Sequence, residues 1–353
     1  MDTPETTLQR FIYGKPVNED AEAGEFDILA ITDGISAEDA VLWRSLAVLE
    51  PMPLPDAVDS QAMGVFSGLE ANLILARAYN YHGDPGCPVY EYALVPRGMM
   101  QAIAGDLQTL NEITGERLDV FTGGRETIEP LTLPDPVTWV ADRRTMLYQG
   151  LINDDGSEII ETLFTLFDAL IDERQLLIQG ADQSLDRRLD LVQAVSLLVP
   201  STLRGEITFA THVTQSDKAR ARLIFAEDDS STDRWVVNVA DMGSNPSPPE
   251  SSFGALLRTM WQGDLNAFVA ELRALELMAA ARLGGESLVE GLDLVAARQV
   301  LDMQVIAGDA VPVEQVQDVL ENAPPEPGPL RTRYIRRLLD HALESRDNTV
   351  SDA

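Results

Sequence analysis

Residues 175–200, QLLIQGADQSLDRRLDLVQAVSLLVP, decide the fold class. The short run Gln175 to Gln179 stops at Gly180 and has the length and bounds of a strand. Leu185, Leu189, Val192, Val195 and Val199 then recur at helical spacing, and Pro200 ends the helix. Just upstream, Ile159, Ile160, Leu163, Phe164, Phe167 and Leu170 form the apolar face of another helix, read as capped by Ser157. Downstream, residues 206–212, 222–226 and 235–240 read as strands, with the acidic turn 227–231 joining the last two as a hairpin. Helix, strand, helix and three further strands predict a mixed sheet with helices packed on it, an α/β (mixed α+β) chain.

Working outward, residues 7–14 and 26–31 predict two strands, and Asp33-Gly34 a turn. Ser36 with Asp39 three positions on marks a capping box, opening a helix expected to turn Val41, Leu42, Leu46 and Leu49 inward. The proline-rich run 51–55 ends it. Strands follow at 62–67, 71–79 and 89–95, the last two forming a hairpin across His82-Gly83-Asp84-Pro85-Gly86. A helix is expected over 98–113, then loop and edge strand through the Gly-, Pro- and Thr-rich span 117–139. A chain of 353 residues suits two domains, so the boundary is placed near residue 145. The expected plan is two mixed-sheet domains, 1–145 and 146–265, then a helical region, 266–323. A proline-rich linker and an amphipathic C-terminal helix fill 324–353.

Charge narrows the function classes. Twenty-six basic residues against 58 acidic ones leave −32, a surface that repels phosphate backbones, so direct nucleic-acid binding is not expected. Only Lys15 and Lys218 among the bases are lysine, a bias that high-GC coding or salt adaptation produces. No apolar run approaches the ~20 residues of a membrane span. The start, Met1 to Glu5, has acids where a signal peptide has bases, so a cytoplasmic location is expected. A lone cysteine, Cys87, permits neither an internal disulfide nor a cysteine zinc cage.

Chemistry by motif is sparse. The run after Gly180 has neither a second glycine nor a Lys-Ser/Thr pair, and Asp182 repels phosphate, so Gly180 reads as a turn residue. No Gly-x-Ser-x-Gly occurs, and the histidines are His82, His212 and His341. His82 and Cys87 share one turn without any spacing that implies hydrogen-bond geometry. Asp154-Asp155 and Asp228-Asp229 lack the ligand spacing of a calcium loop. No catalytic, cofactor or metal residue is therefore expected, and the leading expectation is a non-catalytic adaptor that binds protein partners. The alternatives are an unrecognised hydrolase and an acidic decoy of nucleic acid.

The C-terminal helix carries the candidate partner surface. Tyr334, Ile335, Leu338 and Leu339 form an apolar seam flanked by Arg336 and Arg337, with Arg331 and Arg333 nearby. The helix is expected to dock either on the chain's own acidic body or on an acidic subunit, a second copy included.

Three passages carry a resemblance. Phe11-Ile12-Tyr13-Gly14, then Ala76-Arg77-Ala78-Tyr79 with the hairpin Gly86 to Leu94, resemble the N-terminal domain of bacterial GTPase-associated proteins. Leu197-Leu198-Val199-Pro200, Arg204 and Ile207 to Thr211 are similar to a later passage of the same proteins. Where that family often has histidines, this chain has Asn18-Glu19 or residues near them and Tyr92, a departure that puts a histidine-dependent role of the family in doubt here. The resemblance implies an adaptor whose partner is a GTPase or effector encoded nearby, in bacterial defence or signalling.

Overall fold

A computed structural model describes residues 6–15, 25–52, 61–68, 72–80, 87–99, 107–115, 126–133, 144–227 (save 173, 183 and 215), 233–241, 248–282, 287–322, 325 and 327–351. Among these the strands are β1 (Thr6–Leu8), β2 (Arg10–Gly14), β3 (Asp27–Ile31), β4 (Ala62–Ser67), β5 (Asn72–Asn80) and β6 (Pro88–Pro96). They continue with β7 (Glu126–Thr127), β8 (Leu131–Leu133), β9 (Gln175–Gln179), β10 (Phe209–Ala210), β11 (Leu223–Phe225) and β12 (Arg234–Asn238). The helices are α1 (Ala37–Leu46), α2 (Leu107–Gly115), α3 (Arg144–Asp155), α4 (Ile159–Ile171) and α5 (Leu185–Ser196). After them come α6 (Ser252–Met260), α7 (Leu265–Arg282), α8 (Leu288–Ala307), α9 (Val313–Asn322) and α10 (Pro329–Ser351).

The mixed α/β class holds, but the division into two sheets does not. Ten strands form one sheet in the order β12-β9-β11-β10-β4-β5-β6-β2-β3-β7, and β1 pairs with β8 apart from it. The four strands β12, β9, β11 and β10 run parallel, and β4, β5, β6, β2 and β3 run antiparallel. The halves meet where β10 lies antiparallel to β4, Phe209 opposite Val65 and Ala210 opposite Gly64. Thr211 extends the join: its N–H donates to the Met63 carbonyl at 2.9 Å, and its Oγ1 accepts from the Met63 N–H at 2.8 Å.

Alternation along the strands sends side chains of both halves into shared layers. Val65, Leu75, Phe209, Leu223 and Leu176 belong to one core beneath α3 to α7, and Phe66, Ile74, Ala210, Ile224 and Leu177 to another beneath α1. The residue-145 boundary instead falls at the start of α3, whose Tyr148 is buried and donates to the Ala194 carbonyl at 2.9 Å.

Four local expectations need correction. β11 and β12 are not a hairpin, because each pairs in parallel with β9, which lies between them. The strand expected over 206–212 is only Phe209–Ala210, since residues 201–206 coil into a 3-10 turn after Pro200. The cap of α4 is Glu158, with no side-chain cap bond, not Ser157. The Ser36–Asp39 capping box forms, yet α1 buries Ala40 and Trp43 while Val41 and Leu42 face outward. Trp43 wins the inward position because it tilts against Phe11, ring centroids 5.8 Å apart. The turn 82–86 and most of 98–106 lie outside the described residues.

Gly64 is the tightest point of the join, since a Cβ there would stand 2.8 Å from the Phe209 carbonyl oxygen and 2.6 Å from the Phe66 ring. Gly64→Val should destabilise the chain by about 1–3 kcal/mol. Because the sheet is continuous, urea unfolding followed by tryptophan fluorescence and circular dichroism should remain one coincident transition. Two separate transitions would restore the two-domain plan.

Candidate functional site

The C-terminal helix α10 is fastened by one face. Tyr334 is fully buried among Leu301, Val305, Val316 and Val319 of α8 and α9, with Leu330 and Leu338 packed beside it. Its hydroxyl donates to Asp302 Oδ1 at 2.5 Å, and Arg298 Nε reaches the same oxygen at 2.8 Å. The Arg298 guanidinium also stands 5.6 Å from the Tyr334 ring centroid. Burial first, and the Asp302 contact next, push the Tyr334 phenol upward, so it stays a donor. Arg333 donates to the Ile306 carbonyl, and Arg337 to those of Gly308 and Asp309. These are unpaired carbonyls at the C-terminus of α8, where Gly308 takes a left-handed φ of 86° and the helix dipole favours cations.

The sequence-derived partner set is therefore split. Tyr334, Arg337 and Leu338 turn to the chain's own α8 and α9, whereas Ile335, Arg336 and Leu339 face outward. Ile335, Leu339 and Leu343, spaced four apart, are 44%, 59% and 61% exposed. On α8, Val300, Met303 and Ile306 are also exposed. Sequence reasoning missed Arg298 and Asp302, whose signal is a polar pair at i, i+4 among the apolar Val295, Leu301 and Val305.

The reactive candidates are dispersed. His82 lies outside the described residues, Cys87 is half-buried just before β6, and His341 is exposed on α10. Among the described residues no group of three or more His, Cys, Asp or Glu side chains could hold a metal ion, and no helix is long and apolar enough to cross a membrane. His212, at the end of the strand expected over 206–212, lies beyond β10 and is buried. Burial and then the Arg188 charge push its imidazole down to about 4, so it is neutral at physiological pH. Arg204, from the passage that carries the resemblance, is structural: Nε donates to the Ser196 and Val199 carbonyls at 3.1 and 2.9 Å, and Nη2 pairs with Glu276.

No protein-family model matches the chain, and no curated protein matches it either.

Two outcomes test this geometry. Tyr334→Phe leaves the buried Asp302 carboxylate short of a donor, which should cost about 1–3 kcal/mol. Hydrogen exchange across residues 329–343 should therefore speed roughly tenfold or more. His212 gives a pH signature. Its folded value near 4 lies below the unfolded ~6.5, so the unfolded chain binds more protons between the two. Its contribution is complete above pH ~6.5 and is lost as pH falls toward 4. His212→Gln should lose less stability than the parent chain from pH 7 to 4, by up to about 3 kcal/mol in urea titrations.

Proposed function

We propose that this chain is a non-catalytic adaptor that presents the outer face of α10 to a partner protein. One observation carries the reading: Ile335, Leu339 and Leu343 form an exposed apolar stripe on a helix whose other face is already clamped by Tyr334, Leu338, Arg333 and Arg337. A helix fixed from behind loses little conformational entropy on binding, and anchors at i, i+4 and i+8 are the signature of helix-in-groove recognition. Arg336, exposed beside the stripe, suits a groove with an acidic rim. The partner class follows the resemblance to GTPase-associated proteins: a GTPase or effector encoded beside this chain.

Co-expression with the product of such a neighbouring gene, followed by size-exclusion chromatography and calorimetry, tests the reading. Ile335→Asp with Leu339→Asp should leave the melting temperature within a few degrees while weakening the complex by about thirtyfold or more. A complex indifferent to that double change would reject α10 as the docking face. Neighbouring genes without any GTPase or effector would reject the partner class.

A further inference from the structure

All four parallel strands end at one edge of the sheet, and their ends enclose a cavity of about 380 Å³. Crevices at the carboxyl ends of parallel strands are where open α/β sheets hold ligands. β9 ends there at Gly180, whose φ of 68° turns the chain toward α5, and a Cβ at this position would stand 2.3 Å from Asn238 Oδ1 at the end of β12. The Asn238 side chain therefore packs directly against Gly180, which closes this part of the rim.

The wall is a buried cation. Arg188 sits in the first turn of α5, is 6% exposed, and reaches across the strand ends. Its Nε donates to the Asp182 carbonyl at 2.8 Å and its Nη1 to the Thr211 carbonyl at 2.5 Å, while its guanidinium stands 5.4 Å from the Phe225 ring centroid. Both hydrogen-bonded partners are neutral carbonyl oxygens; Glu227 and Asp182 offset part of the charge from a distance, without a direct ion pair among the described residues. Beside it His212 is 4% exposed, lines the same cavity, and exchanges no side-chain hydrogen bond with any described residue. Buried polar side chains in native folds are nearly always satisfied. A fixed guanidinium and an unengaged imidazole facing one cavity lack an acceptor that both can use.

We propose that this crevice binds a small organic monocarboxylate, with one carboxylate against Arg188 and His212. A planar carboxylate matches the open edge of a guanidinium that two carbonyls already orient. A second negative group is disfavoured, because Glu227 lines this cavity and Asp155, Glu158, Glu161 and Asp182 line a larger neighbouring one of about 870 Å³ that shares Gly180 and Ala181. The same acids disfavour inorganic phosphate. The volume suits a molecule the size of an amino acid or short oxo acid. This site is independent of the α10 face.

Isothermal titration of the full chain with acetate, pyruvate, glycine and inorganic phosphate tests the assignment. At least one carboxylate should bind saturably, and phosphate should bind more weakly than it does. Arg188→Gln should raise Kd about tenfold or more. Since that change also removes the hold on Thr211, a second variant decides if it fails to fold. Glu227 is exposed, and Glu227→Gln removes only a rim charge, so it should lower Kd about threefold. The proposal falls if no carboxylate saturates by about 10 mM, if phosphate binds more tightly, or if Glu227→Gln leaves Kd unchanged.

Discussion

The pairing of β10 with β4 is the constraint on which the rest of the molecule depends. Two residues, Phe209 and Ala210, supply the strand contact, and Thr211 adds two hydrogen bonds to Met63. An unpaired β4 would expose a row of backbone donors and acceptors in the middle of the chain, and an unpaired β10 would open the parallel half at its inner edge. Joined, the two halves bury Phe209 and Val65 in one layer and Ala210 and Phe66 in the other. The contact is short in sequence, but it sets where both cores lie.

A second set of restraints works from the helices. The guanidinium groups of Arg144 and Arg204 converge on Glu276 of α7, and Arg204 also bonds carbonyls at the end of α5. α3, α5, the 3-10 turn after Pro200 and α7 are thereby tied at one point. Burial lowers Arg204 to about 10, with Arg144 adding to the effect and Glu276 opposing it, so it remains charged in the folded chain. Such a clamp adds little net stability over an apolar substitute, yet breaking it strands a buried charge. Its effect is positional, since α5 carries Arg188 and α7 leads to α8, the anchor of α10.

Elements whose signal is local were legible in the sequence. The run Gln175 to Gln179 and the capping box at Ser36 each rest on neighbours within a few positions and fall where expected, whereas α5 ends at Ser196, short of Val199 and Pro200. What was not legible depends on partners far along the chain. The turn 227–231 looks like a hairpin turn, but β9 has two free edges and takes β11 on one side and β12 on the other. Val41 and Leu42 satisfy an apolar pattern, while Trp43, three positions from Ala40, finds Phe11 on β2 and turns the helix by that contact. The candidate sites divide the same way. The apolar seam of α10 is readable from spacing, but which side faces home is set by Asp302, thirty-two residues away from Tyr334. Arg188 and His212 carry no motif at all, because strand order alone brings them together.

The arginine bias also has a physical reading that composition alone conceals. Arg77, Arg144, Arg188, Arg204 and Arg298 are all buried, in a chain whose surface charge is overwhelmingly negative. A lysine in these places would present one strongly hydrated point charge and would lose its proton under burial. A guanidinium stays charged and spreads several donors in a plane, so it can bond two carbonyls at once, as Arg188 and Arg204 do. It can also lie over an aromatic face, as Arg188 does on Phe225 and Arg298 on Tyr334. A coding or salt bias does not by itself explain the buried arginines: Arg188 and Arg204 each bond two backbone carbonyls at the two ends of α5 with one planar cation, and Arg298 beneath α10 meets the Asp302 carboxylate and the Tyr334 ring.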